Sequence, residues 1–250
     1  MARMRADQLV VGRGLATSRE RARALILAGD VLVAGVPATK AGQMVEVDAE
    51  VSLRQPAHPW ASRGGVKLDH ALRAFGLDVG GATALDIGAS AGGFTDVLLA
   101  RGAARVVALD VGHAQLDWKL RTDPRVAVLE GVNARYLTPE ALPADARAFD
   151  VVTIDVAFIS LRQIFPVLPP LLAPGGRVVA LVKPQFEAGR GEVGKGGIVR
   201  DPDVHARVLD EIGRAALQVG LARVATEPSP IEGAEGNREF LVLFEQAGVP

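Results

Sequence analysis

A glycine-rich turn that follows a carboxylate is the first feature able to do chemistry. Asp86 ends an apolar run, and the residues after it, Ile87-Gly-Ala-Ser-Ala-Gly-Gly-Phe-Thr95, lead into an apolar helical pattern. This order is typical of strand, turn and helix, and glycine allows the backbone to approach a ligand closely. The spacing is G-x-x-x-G-G rather than G-x-G-x-x-G, which favours a nucleoside without a pyrophosphate. A purely structural turn is the alternative explanation of the glycines.

A second carboxylate ends the next predicted strand. The run Val106-Val-Ala-Leu-Asp110 is apolar up to Asp110, whose oxygens could accept hydrogen bonds from ribose hydroxyls. Together, Asp86 and Asp110 resemble the carboxylates of an S-adenosyl-L-methionine site, so we expect that cofactor. Asn133 follows the third strand and could face the adenine. The predicted cofactor-binding residues are Asp86, Gly88, Ala89, Ser90, Gly92, Gly93, Phe94, Asp110 and Asn133.

An Asp and a Lys end two further apolar runs. Asp155 ends Val151-Val-Thr-Ile-Asp155, and Lys183 ends Val178-Val-Ala-Leu-Val-Lys183. A carboxylate there is costly unless it is paired, so we expect the two to pair, either as a structural salt bridge or as catalytic groups. A lysine beside a ribose 2′-hydroxyl can accept its proton or stabilise the alkoxide, and the Asp would orient the lysine. Since the methyl of a sulfonium is already activated, alignment and exclusion of water would suffice, without a metal.

The elements that must position these residues alternate between strand and helix from Gly80 to Pro250. Such alternation predicts an α/β fold with a mostly parallel sheet covered on both faces, and ligands bind beyond the carboxyl ends of its strands. The segment 227–237 is too short for a crossover helix, so we expect an antiparallel final strand. Helices are expected between the early strands and at 202–219. The predicted strands are 83–88, 105–110, 126–130, 149–155, 176–183, 221–227 and 239–245.

A smaller α+β unit is predicted before residue 55. It begins with a short helix from Ala6, followed by a helix at 19–28 that Thr17 and Ser18 cap. Ala22, Leu25 and Ile26 form the apolar side of the second helix, and arginines form the other side. A short strand begins at Val31, and the alternation at 44–51 predicts a last strand.

The amino-acid composition limits the classes of protein to which this chain can belong. The 250 residues are 49% hydrophobic and 23% charged, which is ordinary for a globular chain. There is no cysteine, and the four histidines lack metal-ligand spacing, so we predict no metal site. The N-terminus lacks the apolar region of a signal peptide and no long apolar stretch occurs, which predicts a cytoplasmic protein without membrane association. Residues 1–67 hold ten Lys or Arg against six Asp or Glu, so this end could contact a polyanion or be ordinary basic surface.

The N-terminal pattern resembles a known RNA-binding module. The run from Leu15 to Gly35, with Lys40 after it, is similar to the small S4-type module first seen in a ribosomal protein. The resemblance implies contacts with the phosphates of folded RNA, which orient a protein without reading sequence. A basic-faced helix without RNA is the alternative. The expected RNA-binding residues are Arg5, Arg19, Arg21, Arg23, Lys40 and Arg63.

The whole order of motifs resembles the TlyA-type family, whose catalytic domain is similar to FtsJ-type ribosomal RNA 2′-O-methyltransferases. The resemblance rests on the S4-type module, on the glycine turn, and on the motifs Trp60-Ala-Ser-Arg-Gly-Gly-Val-Lys-Leu, Asp155-Val-Ala-Phe-Ile-Ser, Leu181-Val-Lys-Pro-Gln-Phe-Glu and Gly236-Asn-Arg-Glu-Phe. It implies a Rossmann-like class I methyltransferase fold with seven strands. It also implies a catalytic tetrad of Lys67, Asp155, Lys183 and Glu239. The family has an Arg two residues before the Trp, where this chain has His58.

The expected function is methyl transfer from S-adenosylmethionine to a ribose 2′-hydroxyl of ribosomal RNA, at cytidine by resemblance, with ribosomal RNA or ribosomal subunits as partners. The expected domains are an RNA-binding domain at 1–55, a linker at 56–66 and a methyltransferase domain at 67–250. The glycine-rich loop 185–200 could act as a lid or be merely mobile.

Three other functions stay open. The first is methylation of a base or of a small molecule. Base amino groups are usually methylated with the help of an Asn/Asp-Pro-Pro-aromatic turn, which Asp155-Val-Ala-Phe does not match. A membrane-lytic protein, which the family label hemolysin suggests, requires a membrane-seeking segment, whereas the predicted helix at 202–219 is charged. A non-catalytic RNA-binding or assembly factor is the third.

Overall fold

The computed structural model describes residues 2–16, 18–27, 29–53, 58–189, 191–233 and 236–247. By its internal contacts the chain divides into two units, Met1–Pro59 and Trp60–Pro250. The finer domain boundaries drawn from the sequence stay a prediction. Predictions that fall on Thr17, Ala28, residues 54–57 of the linker and Arg190 lie outside the described residues.

The smaller unit packs two helices against short antiparallel strands. β1 pairs with β4, and β2 lies between β3 and β5. The predicted apolar side of the second helix is buried, with Ala22, Leu25 and Ile26 at most 7% exposed. The elements are β1 (Arg3–Arg5), α1 (Ala6–Gly12), α2 (Arg19–Leu27), β2 (Val31–Val33), β3 (Val36–Pro37), β4 (Met44–Glu46) and β5 (Val51–Leu53).

The prediction of one strand over 44–51 is wrong. The chain turns after β4, where the N–H of Ala49 donates to the carbonyl of Glu46. The residues on either side of this turn pair with different partners, β4 with β1 and β5 with β2. Alternation of apolar residues continues through the turn and therefore could not reveal it.

The larger unit is a seven-stranded sheet in the order β11-β12-β10-β9-β6-β7-β8. The five consecutive strands β10-β9-β6-β7-β8 are parallel to one another. β12 runs antiparallel to both β10 and β11, which confirms the expected α/β fold and its antiparallel final strand. The strands are β6 (Thr83–Ile87), β7 (Arg105–Asp110), β8 (Val126–Glu130), β9 (Phe149–Ile154), β10 (Leu172–Val182), β11 (Leu221–Pro228) and β12 (Phe240–Gln246).

Helices and short turns cover both faces of this sheet. Leu85 and Ile87 of β6 belong to one buried cluster, whereas Ala84 belongs to the other, as expected when successive side chains point to opposite faces. Two short 3₁₀ helices lie between β8 and β9, and three lie between β9 and β10; three of these five contain proline. Among the residues described, none of the helices combines the length and apolar character needed to cross a bilayer. The helices are α3 (Gly64–Ala74), α4 (Gly93–Ala100), α5 (Trp118–Arg121), α6 (Pro184–Glu187) and α7 (Pro202–Leu217).

Candidate active site

An ion pair joins the carboxyl ends of two neighbouring strands. Asp155 directly follows β9 and Lys183 directly follows β10, and these strands are parallel partners. The Nζ of Lys183 lies 2.6 Å from Oδ1 of Asp155, and the two side chains are 13% and 20% exposed. Although the distance is short, Oδ1 accepts no hydrogen bond of acceptable geometry from the described residues, so the contact is an ion pair. The structure thus brings together the two groups whose pairing the sequence predicts.

A second, more deeply buried ion pair lies at the same edge of the sheet. The Nζ of Lys67, in α3, lies 2.5 Å from Oε2 of Glu239, and their side chains are 7% and 3% exposed. Glu239 directly precedes β12, and Phe240 pairs with Val182, so Glu239 and Lys183 flank the same register position of two antiparallel strands. A cation early in a helix opposes the helix dipole. The buried partner explains why Lys67 is nevertheless tolerated there.

The start of α3 brings this second pair towards the first. A Cβ placed on Gly64 would lie 3.7 Å from Oδ2 of Asp155, so the helix begins beside that carboxylate. Lys67 follows three residues later and therefore lies about one turn further along the same side of the helix. All four residues of the predicted catalytic tetrad accordingly collect at one edge of the sheet.

The glycine turn has left-handed backbone conformations and no room for side chains. Gly88 has φ +86°, and a Cβ there would lie 2.4 Å from the carbonyl oxygen of Asp155. At Gly92, with φ +93°, a Cβ would lie 2.3 Å from Leu120, and at Gly93 it would lie 2.2 Å from the Ser62 hydroxyl. At each of these three glycines, a side chain would collide with another part of the protein itself. The turn thus packs tightly against the segments that carry Asp155 and α3, in addition to any approach to a ligand.

Asp86 lies beneath this turn and is fully buried. Oδ2 accepts a hydrogen bond of 2.7 Å from the Thr95 hydroxyl, and Oδ1 accepts one of 3.0 Å from the Thr153 hydroxyl. Burial raises the pKa of the Asp86 carboxyl from 3.8 to about 7, against the hydrogen bonds, which lower it. The backbone N–H of Thr95, in the first turn of α4, also donates to this carboxyl. Asp86 thereby ties β6 to α4 and to β9.

A cavity of about 630 Å³ opens beside the glycine turn and reaches the first ion pair. Asp110 lines it, with one carboxylate oxygen accepting from Ser90 N–H at 2.8 Å and the other from Gly112 N–H at 2.7 Å. Asp155 lines the same cavity. Of the predicted cofactor-binding residues, the cavity wall contains Gly88, Ser90, Asp110 and Asn133, whereas Asp86, Ala89, Gly92, Gly93 and Phe94 lie behind or beside it.

Phe158 is a candidate functional residue that the sequence reasoning missed. Its side chain is 92% exposed, its backbone has φ +64°, and it lines the cavity three residues after Asp155. The ring contacts Phe186, with centroids 5.1 Å apart at a tilt of 52°. Left-handed backbone is uncommon for a bulky residue and points to a functional constraint. Its place within the motif that begins at Asp155 was the available signal.

Cationic side chains line a cavity of about 600 Å³ in the smaller unit. Arg5, Arg19, Arg23 and Lys40, all predicted RNA contacts, share its wall. Buried Asp7 accepts from Arg5 at 2.8 and 3.0 Å and from Arg19 at 3.3 Å. The hydrogen bonds from Arg5 are the main cause that lowers the pKa of Asp7 to about 2. One carboxylate thus organises two of the four cations.

The other two predicted RNA contacts lie elsewhere. The guanidinium of Arg21 donates to the carbonyl of His58 at 3.3 Å rather than lining this cavity. Arg63 belongs to the larger unit and directly precedes α3. The loop 185–200 starts within the short helix α6, and its end is held by Asn237, which accepts from Val199 N–H and donates to the Gly197 carbonyl.

Four features are typical of a methyltransferase: a mostly parallel seven-stranded sheet, a glycine turn after β6, a carboxylate at the end of β7 and a Lys–Asp pair at neighbouring strand ends. A family model described as FtsJ-like methyltransferase matches residues 60–246, and one described as S4 domain matches residues 4–51. The chain belongs to the FtsJ-like methyltransferase family and, within it, to the TlyA proteins, as its relatives show.

One such relative is the 16S/23S rRNA (cytidine-2′-O)-methyltransferase TlyA of Mycobacterium tuberculosis. It is 47% identical over 241 residues, which are 96% of this chain and 89% of the relative. A solved structure from Streptococcus thermophilus, provisionally described as a hemolysin, is 43% identical with a TM-score of 0.78, covering 100% of this chain and 90% of that one. An S-adenosylmethionine dependent methyltransferase from Mesorhizobium loti, at 19% identity and a TM-score of 0.51, covers 71% of this chain and 96% of its own and shares the fold alone.

Proposed function

We propose that this methyltransferase transfers the methyl group of S-adenosyl-L-methionine to the ribose 2′-hydroxyl of a cytidine in ribosomal RNA. The observation that carries the proposal is the ion pair between Lys183 and Asp155, which borders the cavity at the carboxyl edge of the sheet. The nature of the acceptor, a cytidine of ribosomal RNA, is taken from the name of the M. tuberculosis relative.

The cavity fits a nucleoside cofactor. Its volume of about 630 Å³ lies in the range of small-molecule sites, and its wall joins apolar side chains to a few polar groups. Asp110 would hold the ribose hydroxyls through lone pairs that its two backbone donors leave free, and Asn133 would lie near the adenine. Apolar Val132 and Ile164 would enclose the ring. When bound, S-adenosylmethionine supplies an electrophilic methyl group on a sulfonium.

The four tetrad residues prepare the attacking hydroxyl. The Lys183 ammonium, which Asp155 holds in place, stabilises the negative charge that develops on the oxygen; alternatively, Lys183 that has first lost its own proton to water accepts the hydroxyl proton. The pair of Lys67 and Glu239 is too buried to meet bulk water, so it adds charges of fixed orientation to the same edge. Charges that are already oriented need no rearrangement during the reaction, and this is why they stabilise a transition state efficiently.

Phe158 provides a surface for the nucleobase. An aromatic ring that is 92% exposed and supported by Phe186 can stack on a base, an interaction worth about 1–3 kcal/mol per base in single-stranded RNA. Since the ring lies beside Asp155, a stacked nucleotide would present its ribose to Lys183. A ribose within a helix cannot reach a recessed site, so the target nucleotide would be unstacked from its neighbours.

The N-terminal unit docks the enzyme on its substrate. The cluster of Arg5, Arg19, Arg23 and Lys40 suits the phosphates of folded RNA, which raise affinity without reading sequence. We accordingly propose residues 1–55 as the RNA-binding domain, 56–66 as a linker and 67–250 as the catalytic domain. The relatives are bacterial, and bacteria assemble their ribosomes in the cytoplasm, so we also propose a cytoplasmic location.

Methylation of isolated ribosomal RNA and ribosomal subunits with labelled S-adenosylmethionine tests this function. The wild-type protein should label RNA, and mapping of ribose methylation should find a 2′-O-methylcytidine. Lys183→Ala should abolish transfer while cofactor and RNA binding persist. Lys119→Ala, which removes a surface lysine of α5, is the matched control and should transfer normally. Unchanged transfer by Lys183→Ala would refute the assignment, and label on a base would refute the proposed acceptor.

A further inference from the structure

The segments that follow β9 and β10 are joined by three contacts in sequence order. The first is the ion pair between Asp155 and Lys183. Three residues further along each segment, Phe158 contacts Phe186. The third contact is made by Glu187, whose carboxylate reaches the end of the segment that begins at Asp155. The first of these three contacts contains the reacting residues Asp155 and Lys183. The last contains the carboxylate of Glu187, which has no role in the proposed chemistry.

Glu187 accepts two hydrogen bonds from that segment. The hydroxyl of Ser160 donates to Oε2 at 2.5 Å, and the backbone N–H of Leu161 donates to Oε1 at 2.8 Å. Glu187 is 9% exposed, and two charged side chains influence its carboxylate, Arg162 and Glu211, which pair with each other at 2.7 Å. A carboxylate is rarely buried without an arginine or lysine of its own, since burial disfavours its charged form. These two hydrogen bonds contribute most to stabilising the charged carboxylate, and Arg162 contributes less.

The segment between the two anchors contains a residue in a strained backbone conformation. Phe158 has φ +64°, a conformation that costs a bulky side chain energy and persists only where neighbouring residues restrain it. Asp155 restrains one side of Phe158 through Lys183, and Ser160 with Leu161 restrains the other side through Glu187. Without the second anchor, the chain could relax and move the ring out of its exposed orientation.

We propose that Glu187 is a positioning residue for methyl transfer, which acts by holding the segment 155–161 so that Asp155 faces Lys183 and the Phe158 ring stays exposed to the acceptor nucleotide. This inference rests on the proposed function. Glu187 does not line the cavity beside Asp155, so its removal acts through the geometry of the segment. Misplacement of reacting groups by about 1 Å can cost on the order of 100-fold in rate.

Steady-state methylation by Glu187→Ala and Glu187→Gln tests the proposal. Glu187→Ala should lower kcat/KM for RNA by about 10- to 100-fold while the protein still binds S-adenosylmethionine. Glu187→Gln should recover most of this loss, because the amide oxygen can accept from Leu161 N–H and the amide nitrogen can donate to the Ser160 hydroxyl. Glu211→Ala, which removes a nearby carboxylate that pairs with the exposed Arg162 and Arg207, is the control and should resemble wild type.

Two further variants keep the test decisive. If Glu187→Ala fails to fold, Ser160→Ala removes one hydrogen bond, leaves Leu161 satisfied, and should give a smaller loss in the same direction. Combining Phe158→Ala with Glu187→Ala should lower kcat/KM by less than the product of the single losses, because both changes act on the same ring.

While wild-type transfer stands, the proposal would be overturned by activity of Glu187→Ala equal to that of Glu211→Ala, or by a Glu187→Gln variant as impaired as Glu187→Ala. Losses that simply multiply in the double variant would also overturn it. A wild-type protein that methylates no ribose would instead refute the proposed function, so the two failures are distinguishable.

Discussion

Replacing Asp86 by Asn removes a carboxyl that burial holds in an unfavourable electrostatic environment. In the folded protein burial raises the pKa of Asp86 to about 7, whereas the unfolded chain has the ordinary pKa of 3.8. Below pH 3.8 the carboxyl is protonated in both the folded and the unfolded protein, so its ionisation does not lower the free energy of unfolding. As pH rises towards the folded pKa, the unfolded state ionises first, so the free energy of unfolding falls. Above about pH 7 both states are ionised and the loss is complete.

The size of this effect follows from the interval between the two pKa values. About 3 pH units, at about 1.4 kcal/mol each, correspond to about 4 kcal/mol of stability lost between acid and neutral pH. The side chain is fully buried, so solvent does not screen this cost. Asn has no charge to bury but offers a single acceptor to three donors, so Asp86→Asn should be about 1–2 kcal/mol less stable near pH 5. Between pH 5 and pH 8 it should gain about 3 kcal/mol relative to wild type.

Urea unfolding at several pH values, followed by tryptophan fluorescence, measures this gain. Both tryptophans, Trp60 and Trp118, belong to the larger unit, so the signal reports the part of the chain that contains Asp86. Asp150→Asn, at an exposed carboxylate of β9, is the control for a general effect of charge removal. A difference between Asp86→Asn and wild type that stays constant from pH 5 to pH 8 would refute the electrostatic reasoning.

Three other changes test other parts of the structure. Lys67→Ala should lower the free energy of unfolding by about 3–5 kcal/mol, because it leaves Glu239 buried without its partner; a loss below about 1 kcal/mol in urea unfolding would contradict this. Gly88→Ala should abolish cofactor binding in calorimetry, because a Cβ would lie 2.4 Å from the Asp155 carbonyl at φ +86°, and normal binding would show that the turn is plastic. Lys40→Ala should weaken RNA binding and reduce the slope of log affinity against log salt by about 1, whereas an unchanged slope would remove Lys40 from the RNA interface.

The strand ends that carry chemistry were readable from the sequence because the signal is local. An apolar run that stops at a charged residue shows where a buried strand ends, and parallel strands bring their carboxyl ends to one edge. That logic located Asp110, Asp155 and Lys183 at the correct strand ends. It failed at 44–51, where alternation continues across a turn.

Lys67 and Glu239 were assigned to the site through the family resemblance, and their pairing depends on contacts between distant segments. They are 172 residues apart, and no local pattern specifies that they form a buried ion pair. The reason for the glycines at 88, 92 and 93 likewise appears only when Asp155, Leu120 and Ser62 are packed against them.

The sequence by itself determined the order of the seven strands in the larger unit, the positions of the strand-end charges and the basic character of the N-terminal unit, because each depends on residue type and short-range periodicity. Only the tertiary structure decided which charges meet, that Asp86 is buried beneath the turn, that Phe158 is exposed in a left-handed conformation, and that Glu187 anchors its segment. Burial and contact depend on residues brought together from separate parts of the chain, and a pattern confined to neighbouring residues cannot express them.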